Sequence, residues 1–234
     1  MSKIISELNN LNEIRRLEKR GIYKRCLLKN KEDYSKMCDY MQKINYCIQD
    51  LNSELPNIAK LSNKSIVYII TLVTWISEAM YGMHQLYRND ILKGFSYEKE
   101  DELKKGYEYI RALRSFVVAH PLRTTDHVAY GMDGSLICID IRQQLPAVAL
   151  LRDSNSKNKD IEKYFSYLDY NGRHKGRNTD SDFYLYGYSK EIENMEFSVY
   201  IGCSMSDIYH VAELYIDKLY ALDKYLAKQK GRSI

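Results

Sequence analysis

Tyr34, Met37, Met41, Ile44, Ile48, Leu51 and Leu55 follow one another at alternating steps of three and four residues without a miss. That spacing puts every one of them on a single stripe of an α-helix, the seam by which a helix packs in a bundle. Pro56 closes the pattern. With only 3 Pro and 11 Gly in 234 residues, few other positions are forced to break a helix. The chain is therefore expected to be mainly α.

Three further helical patterns surround this one. Ile4, Leu8, Leu11, Ile14 and Leu17 make a stripe in a segment from Ser2 to about Leu28. From about Ser62, an N-cap candidate, to Lys93 a third helix is expected, apolar nearly all round at its start and mixed after Glu78, as suits the middle of a bundle. A fourth helix is expected from about Tyr97 to Ala119, and a last one from Ser204 or Ser206 to Lys230, with Ile208, Val211, Leu214 or Tyr215, Leu219, Leu222 and Leu226 inside. Between the last two, the β-branched run Ser135–Arg142 and the stretches Phe183–Tyr188 and Glu196–Cys203 predict short strands. The architecture expected is a helical bundle in one domain, 1–234. Its helical core covers about 32–122 and 204–230, a small irregular β insertion about 123–203, and a basic N-terminal helix 1–31.

Composition narrows the class. Hydrophobic residues are 45% and charged residues 28%, which excludes collagen-like and disordered chains. The five cysteines are widely spaced with no CxxC, so buried reduced thiols are expected rather than a disulfide framework or zinc knuckle. The longest apolar run, Ile66 to Ile76, contains threonines, precedes Glu78 and is too short to span a bilayer. A cytoplasmic protein without membrane contact is the expectation. Residues 1–31 hold nine Lys/Arg against three Glu, a net of +6 that leaves −2 on the rest. Such a basic segment attracts a polyanion, and a solvated helix face has the same composition. The 22 Tyr, against 5 Phe and 1 Trp, call for many polar-tipped aromatic contacts.

Chemistry concentrates at the end of the fourth helix. Leu103, Tyr107, Ile110 and Val117 fall on one seam, and Arg114 completes the spacing. A guanidinium keeps its charge at any ordinary pH, so on a buried seam it needs an anion or a cleft open to water. Glu78 is the candidate acid partner. His120 follows six residues later and precedes Pro121, which disfavours helical geometry before it and so ends the helix at the imidazole. His120 can shuttle protons near neutrality, and Arg114 can grip phosphate oxygens.

The segment Arg111-Ala-Leu-Arg114-Ser115-Phe-Val-Val-Ala-His120 resembles the R-x4-6-H motif of the HEPN superfamily, helical proteins many of which are metal-independent ribonucleases in toxin–antitoxin, abortive-infection and phage-defence systems. The motif match covers about ten residues, with the helical architecture extending it. The resemblance implies RNA cleavage by 2′-hydroxyl attack with Arg114 and His120 catalytic and Ser115 orienting them. It implies a homodimer that brings two Arg/His pairs into one cleft, no cofactor or metal, and an antitoxin protein as a further partner. Ser115 stands where the family more commonly has Asn, Asp or His, and the β insertion and long N-terminal helices depart from its plan. Arg111 and Arg123, and the cluster Arg173, His174, Lys175 and Arg177, are candidate RNA contacts.

Other readings stay open. Arg114 could sit in a structural ion pair and His120 could cap its helix. The chain could be a non-catalytic dimerisation or protein-interaction module using the 34–55 seam, or a nucleic-acid-binding regulator using its basic N-terminal segment.

Overall fold

A computed structural model describes residues 7–8, 21–119, 130, 136–144, 181–189 and 199–229. Of these, 74% are helical and the rest include one small antiparallel sheet, so the chain is mainly α. The helices are α1 (Asp33–Glu54), α2 (Asn63–Leu86), the short α3 (Asn89–Leu92), α4 (Glu100–Arg114) and α5 (Met205–Lys228). Strands β1 (Leu136–Arg142), β2 (Phe183–Ser189) and β3 (Val199–Cys203) pair in the order β1-β2-β3, with Ile139 opposite Gly187 and Leu185 opposite Ile201.

The chain divides into two compact units. One gathers Met1–Ile4, Asn57–Thr71 and Lys105–Ile208; the other gathers Ile5–Pro56, Leu72–Lys104 and Tyr209–Ile234. Residues 57–71, counted with the helical core in the sequence, thus group with the segment that carries the sheet.

In the second unit the α1 seam behaves as its spacing predicts. Met37, Met41, Ile44, Ile48 and Leu51 are fully buried, so the seam is used inside the protein. Polar-tipped contacts fasten the helices, as the tyrosine content requires. Tyr209 of α5 donates its hydroxyl to the Leu51 carbonyl at 2.7 Å, and Tyr87 donates to the Ile22 carbonyl at 2.8 Å. Asn52 closes a reciprocal pair with the backbone of Leu8. Burial pushes the Tyr87 and Tyr209 hydroxyls far above the ordinary phenol range. It raises the Cys47 thiol to about 11, which fits an unreactive core thiol.

The break in the expected third helix has a tertiary cause. Tyr87 leaves α2 to form an isolated bridge with Leu28, while Lys29 N–H donates to the Leu86 carbonyl and Arg88 N–H to the Leu27 carbonyl. Those bonds replace the next helical turn, and α3 begins afresh at Asn89. By length and composition α2 is long and apolar enough to cross a membrane, longer than the run read from sequence; 61% of its apolar stretch is buried inside the protein.

Residues 21–31 form turns and a 3₁₀ helix (Arg25–Leu27), not the continuation of an α-helix, and residues 1–6 and 9–20 lie outside the described set. Gly21 explains the tight approach here: a Cβ would overlap the backbone of Asp223 and Ala227. The Asp223 carboxylate then accepts from the Ile22 N–H at 3.1 Å.

In the first unit, β2 and β3 bury Phe183, Leu185, Ile201 and Cys203. Asp182 caps the start of α5, accepting from the Met205 N–H at 2.7 Å and the Ser204 hydroxyl at 3.2 Å. The last α-turn of α4 runs into a π-helical segment, Ser115–Ala119, and β1 lies against that segment.

Candidate functional site

The end of α4 is built by a helix whose charges follow its dipole. Glu100, Asp101 and Glu102 occupy the first turn, and Arg111 and Arg114 the last. Leu103, Tyr109, Ile110, Ala112, Leu113, Phe116 and Val117 are buried. The inner stripe therefore runs Leu103, Gly106, Ile110, Leu113, Val117.

This corrects the sequence-based seam. From Ile110 to Val117 the steps can run four then three, through Arg114, or three then four, through Leu113. The chain takes the second course: Leu113 is 0% exposed and Arg114 faces solvent. The same one-residue rotation buries Gly106 and leaves Tyr107 44% exposed. Leu113 gains its transfer energy and the guanidinium keeps its hydration, so the desolvation cost that motivated a buried cation does not arise.

Arg111 is likewise exposed, three residues before Arg114, so the two arginines share one exposed face at the helix end. Ser115, the first residue of the π segment, is half-buried. Below it Phe116 is buried with its ring edge-on to Tyr130 at 5.6 Å. The widened π turn is a local departure of the kind that helices often carry at functional positions. Glu78 is exposed on α2 and belongs to the second unit. His120 and Arg123, with Arg173, His174, Lys175 and Arg177, lie outside the described residues.

Two cations of the basic N-terminal segment have structural work. Lys24 places its ammonium on the C-terminal carbonyls of α5, at 2.6 Å from Ala227 and 3.3 Å from Gln229. Arg25 lies 4.0 Å above the ring of Tyr34. Neither carbonyls nor a tyrosine face leave a trace in residue spacing, which is why the sequence counts these charges as one undivided patch.

Sequence reasoning also passed over two histidines. His210 holds Glu102 at 2.8 Å from Nε2 and Glu213 at 3.4 Å from Nδ1, beside the ion pair Lys218–Glu100 at 2.8 Å. His84 is half-buried near Phe95. Among the described residues, no group of three or more His, Cys, Asp or Glu is placed to hold a metal, and Cys26, Cys38, Cys47 and Cys203 are free thiols. No protein-family model, curated protein or solved structure matches the chain.

Proposed function

We propose that the protein is a HEPN-like, metal-independent endoribonuclease acting in the cytoplasm as a homodimer, in a toxin or phage-defence role with an antitoxin protein as partner. The observation that carries the proposal is the pair Arg111 and Arg114, both open to solvent on the last turn of α4, directly before the π segment that leads to His120. An exposed guanidinium can be reached by a phosphate from solvent, and its planar fork suits two phosphate oxygens at once.

In this scheme His120 takes the proton from the attacking 2′-hydroxyl, and Arg114 stabilises the charge on the crowded phosphate. Arg111 holds a neighbouring phosphate. The second His120, from the other copy in the dimer, protonates the departing 5′-oxygen. Purified protein and His120→Ala are to be compared on RNA, with folding checked by circular dichroism. The proposal expects the variant to cut about 10²–10⁴-fold more slowly. Equal cutting by both, or none by either, overturns it.

A second reading, a protein-interaction module, draws on other residues than the 34–55 seam, which is buried from Met37 to Leu51. Trp75 and Tyr81 are 38% and 72% exposed on α2, and Lys43 stands 3.5 Å over the Trp75 ring. Those aromatic faces suit a protein partner. Wild-type binding to such a partner that is lost in Trp75→Ala, without any RNA cleavage, would favour it.

A further inference from the structure

In the second unit, the last turn of α2 and the short helix α3 border an open hollow of about 480 Å³, lined by His84, Gln85, Asn89, Asp90, Leu92 and Lys93. Its walls are held in place. Phe95 lies 6.5 Å from the His84 ring and 5.4 Å from Tyr225, whose hydroxyl donates to the Ile91 carbonyl at 2.6 Å. Gly94 lets Tyr225 come this close, since a Cβ there would stand 3.0 Å from the phenol oxygen.

The charges around it do not balance. Asp90 on the rim receives both Nε and Nη2 of Arg88, at 3.0 and 2.6 Å, and Glu100 receives Lys218 at 2.8 Å. Lys93 on the rim and Lys29, which acts on His84 from the neighbouring segment, pair with no carboxylate among the described residues. Among these described residues, four cations thus stand against two occupied carboxylates. Burial first, then Lys218 and Lys29 against the opposing pull of Glu100, hold the imidazole below its ordinary range. Beside these cations, an anion bound next to the imidazole would oppose that shift and favour its protonated form.

We infer that this hollow binds a small phosphate-bearing anion, with Lys93 and His84 meeting its charge and the Asn89 and Gln85 amides its oxygens. The size is within the range of small-molecule sites. The inference uses none of the residues at the end of α4, so it stands or falls independently of RNA cleavage. Anion binding is coupled to protonation of His84: affinity rises as pH falls through the imidazole's range.

The test follows the His84 ring by NMR in the intact protein, assigned with His84→Gln, during titration with inorganic phosphate and separately with a nucleoside 5′-monophosphate, against chloride at equal ionic strength. The expected result is a His84 titration midpoint raised by about one pH unit by at least one phosphate ligand and not by chloride. Lys93→Gln should weaken that ligand about tenfold, the effect of losing one close charge-assisted contact. A shift with both ligands assigns the phosphate group itself, and a shift with the monophosphate alone assigns a phosphomonoester. A midpoint indifferent to both, or a shift that chloride reproduces or that Lys93→Gln leaves unchanged, overturns the inference.

Discussion

Leu113 fills the inner seam of α4 while its neighbour Arg114 faces solvent. One step along the chain separates a residue that holds the helix in place from one that a ligand in solvent can reach. Leu113→Ala should therefore lower stability by about 2–5 kcal/mol, the cost of a buried leucine's contacts plus a cavity. Arg114→Ala should stay within ~0.5 kcal/mol of wild type. Urea denaturation of the two variants checks both, and a large loss in Arg114→Ala would restore the buried-cation view.

Gly21 sits where any side chain would strike the backbone of α5 at Asp223 and Ala227. A backbone cannot swing aside as a side-chain tip can. Gly21→Ala should cost about 1–3 kcal/mol by overpacking, read as a lower melting temperature. The neighbouring Ile22 N–H to Asp223 bond should weaken with it, seen as faster amide exchange at Ile22.

Tyr87 and Tyr209 hold their protons far above the free phenol range because burial disfavours the phenolate. Tyr97 is raised to about 12, by burial first and then by Asp217 and the glutamates near it. In the unfolded chain these groups titrate near pH 10, so above that the unfolded state has lost protons the folded state keeps. Stability should be level in this respect below about pH 10 and fall progressively above it. Urea midpoints against pH check this. The double variant Tyr87→Phe with Tyr209→Phe should be less stable at neutral pH and lose stability less steeply in alkali.

Lys24 caps the carbonyls at the end of α5. Lys24→Gln should cost about 0.3–1 kcal/mol of stability. It should leave the salt dependence of any RNA binding unchanged, because this ammonium is engaged with the protein. A shallower slope of affinity against salt in the variant would return Lys24 to the nucleic-acid-binding reading.

Much of this fold is legible in the sequence because local pattern and tertiary demand agree. The α1 seam, its stop at Pro56, and the start of α2 at Ser62, whose hydroxyl accepts from the Ser65 N–H at 3.1 Å, need only spacing and capping chemistry. Where they diverge, the sequence misleads. On α4 two step orders fit the same end points, and Gly106 offers no apolar signal to favour the correct one. The break at Tyr87 depends on Leu28, Leu27 and Ile22, far off in the chain. Of the candidate site, Arg111, Arg114 and Ser115 do share the end of α4, but the exposure of the arginines reverses the argument that first singled out Arg114. The hollow beside His84 had no signature at all, since its lining is ordinary helix-end polarity assembled by the turn into α3.

The chemistry of the cut ends tests the central claim most directly. RNA incubated with the protein in the presence of a chelator, then analysed by mass spectrometry, should yield fragments ending in 2′,3′-cyclic phosphate and beginning with 5′-hydroxyl. Their yield should collapse in Arg114→Ala and His120→Ala while both variants remain folded. Fragments with 3′-hydroxyl and 5′-phosphate ends, or cyclic-phosphate yields that neither variant reduces, would contradict the account.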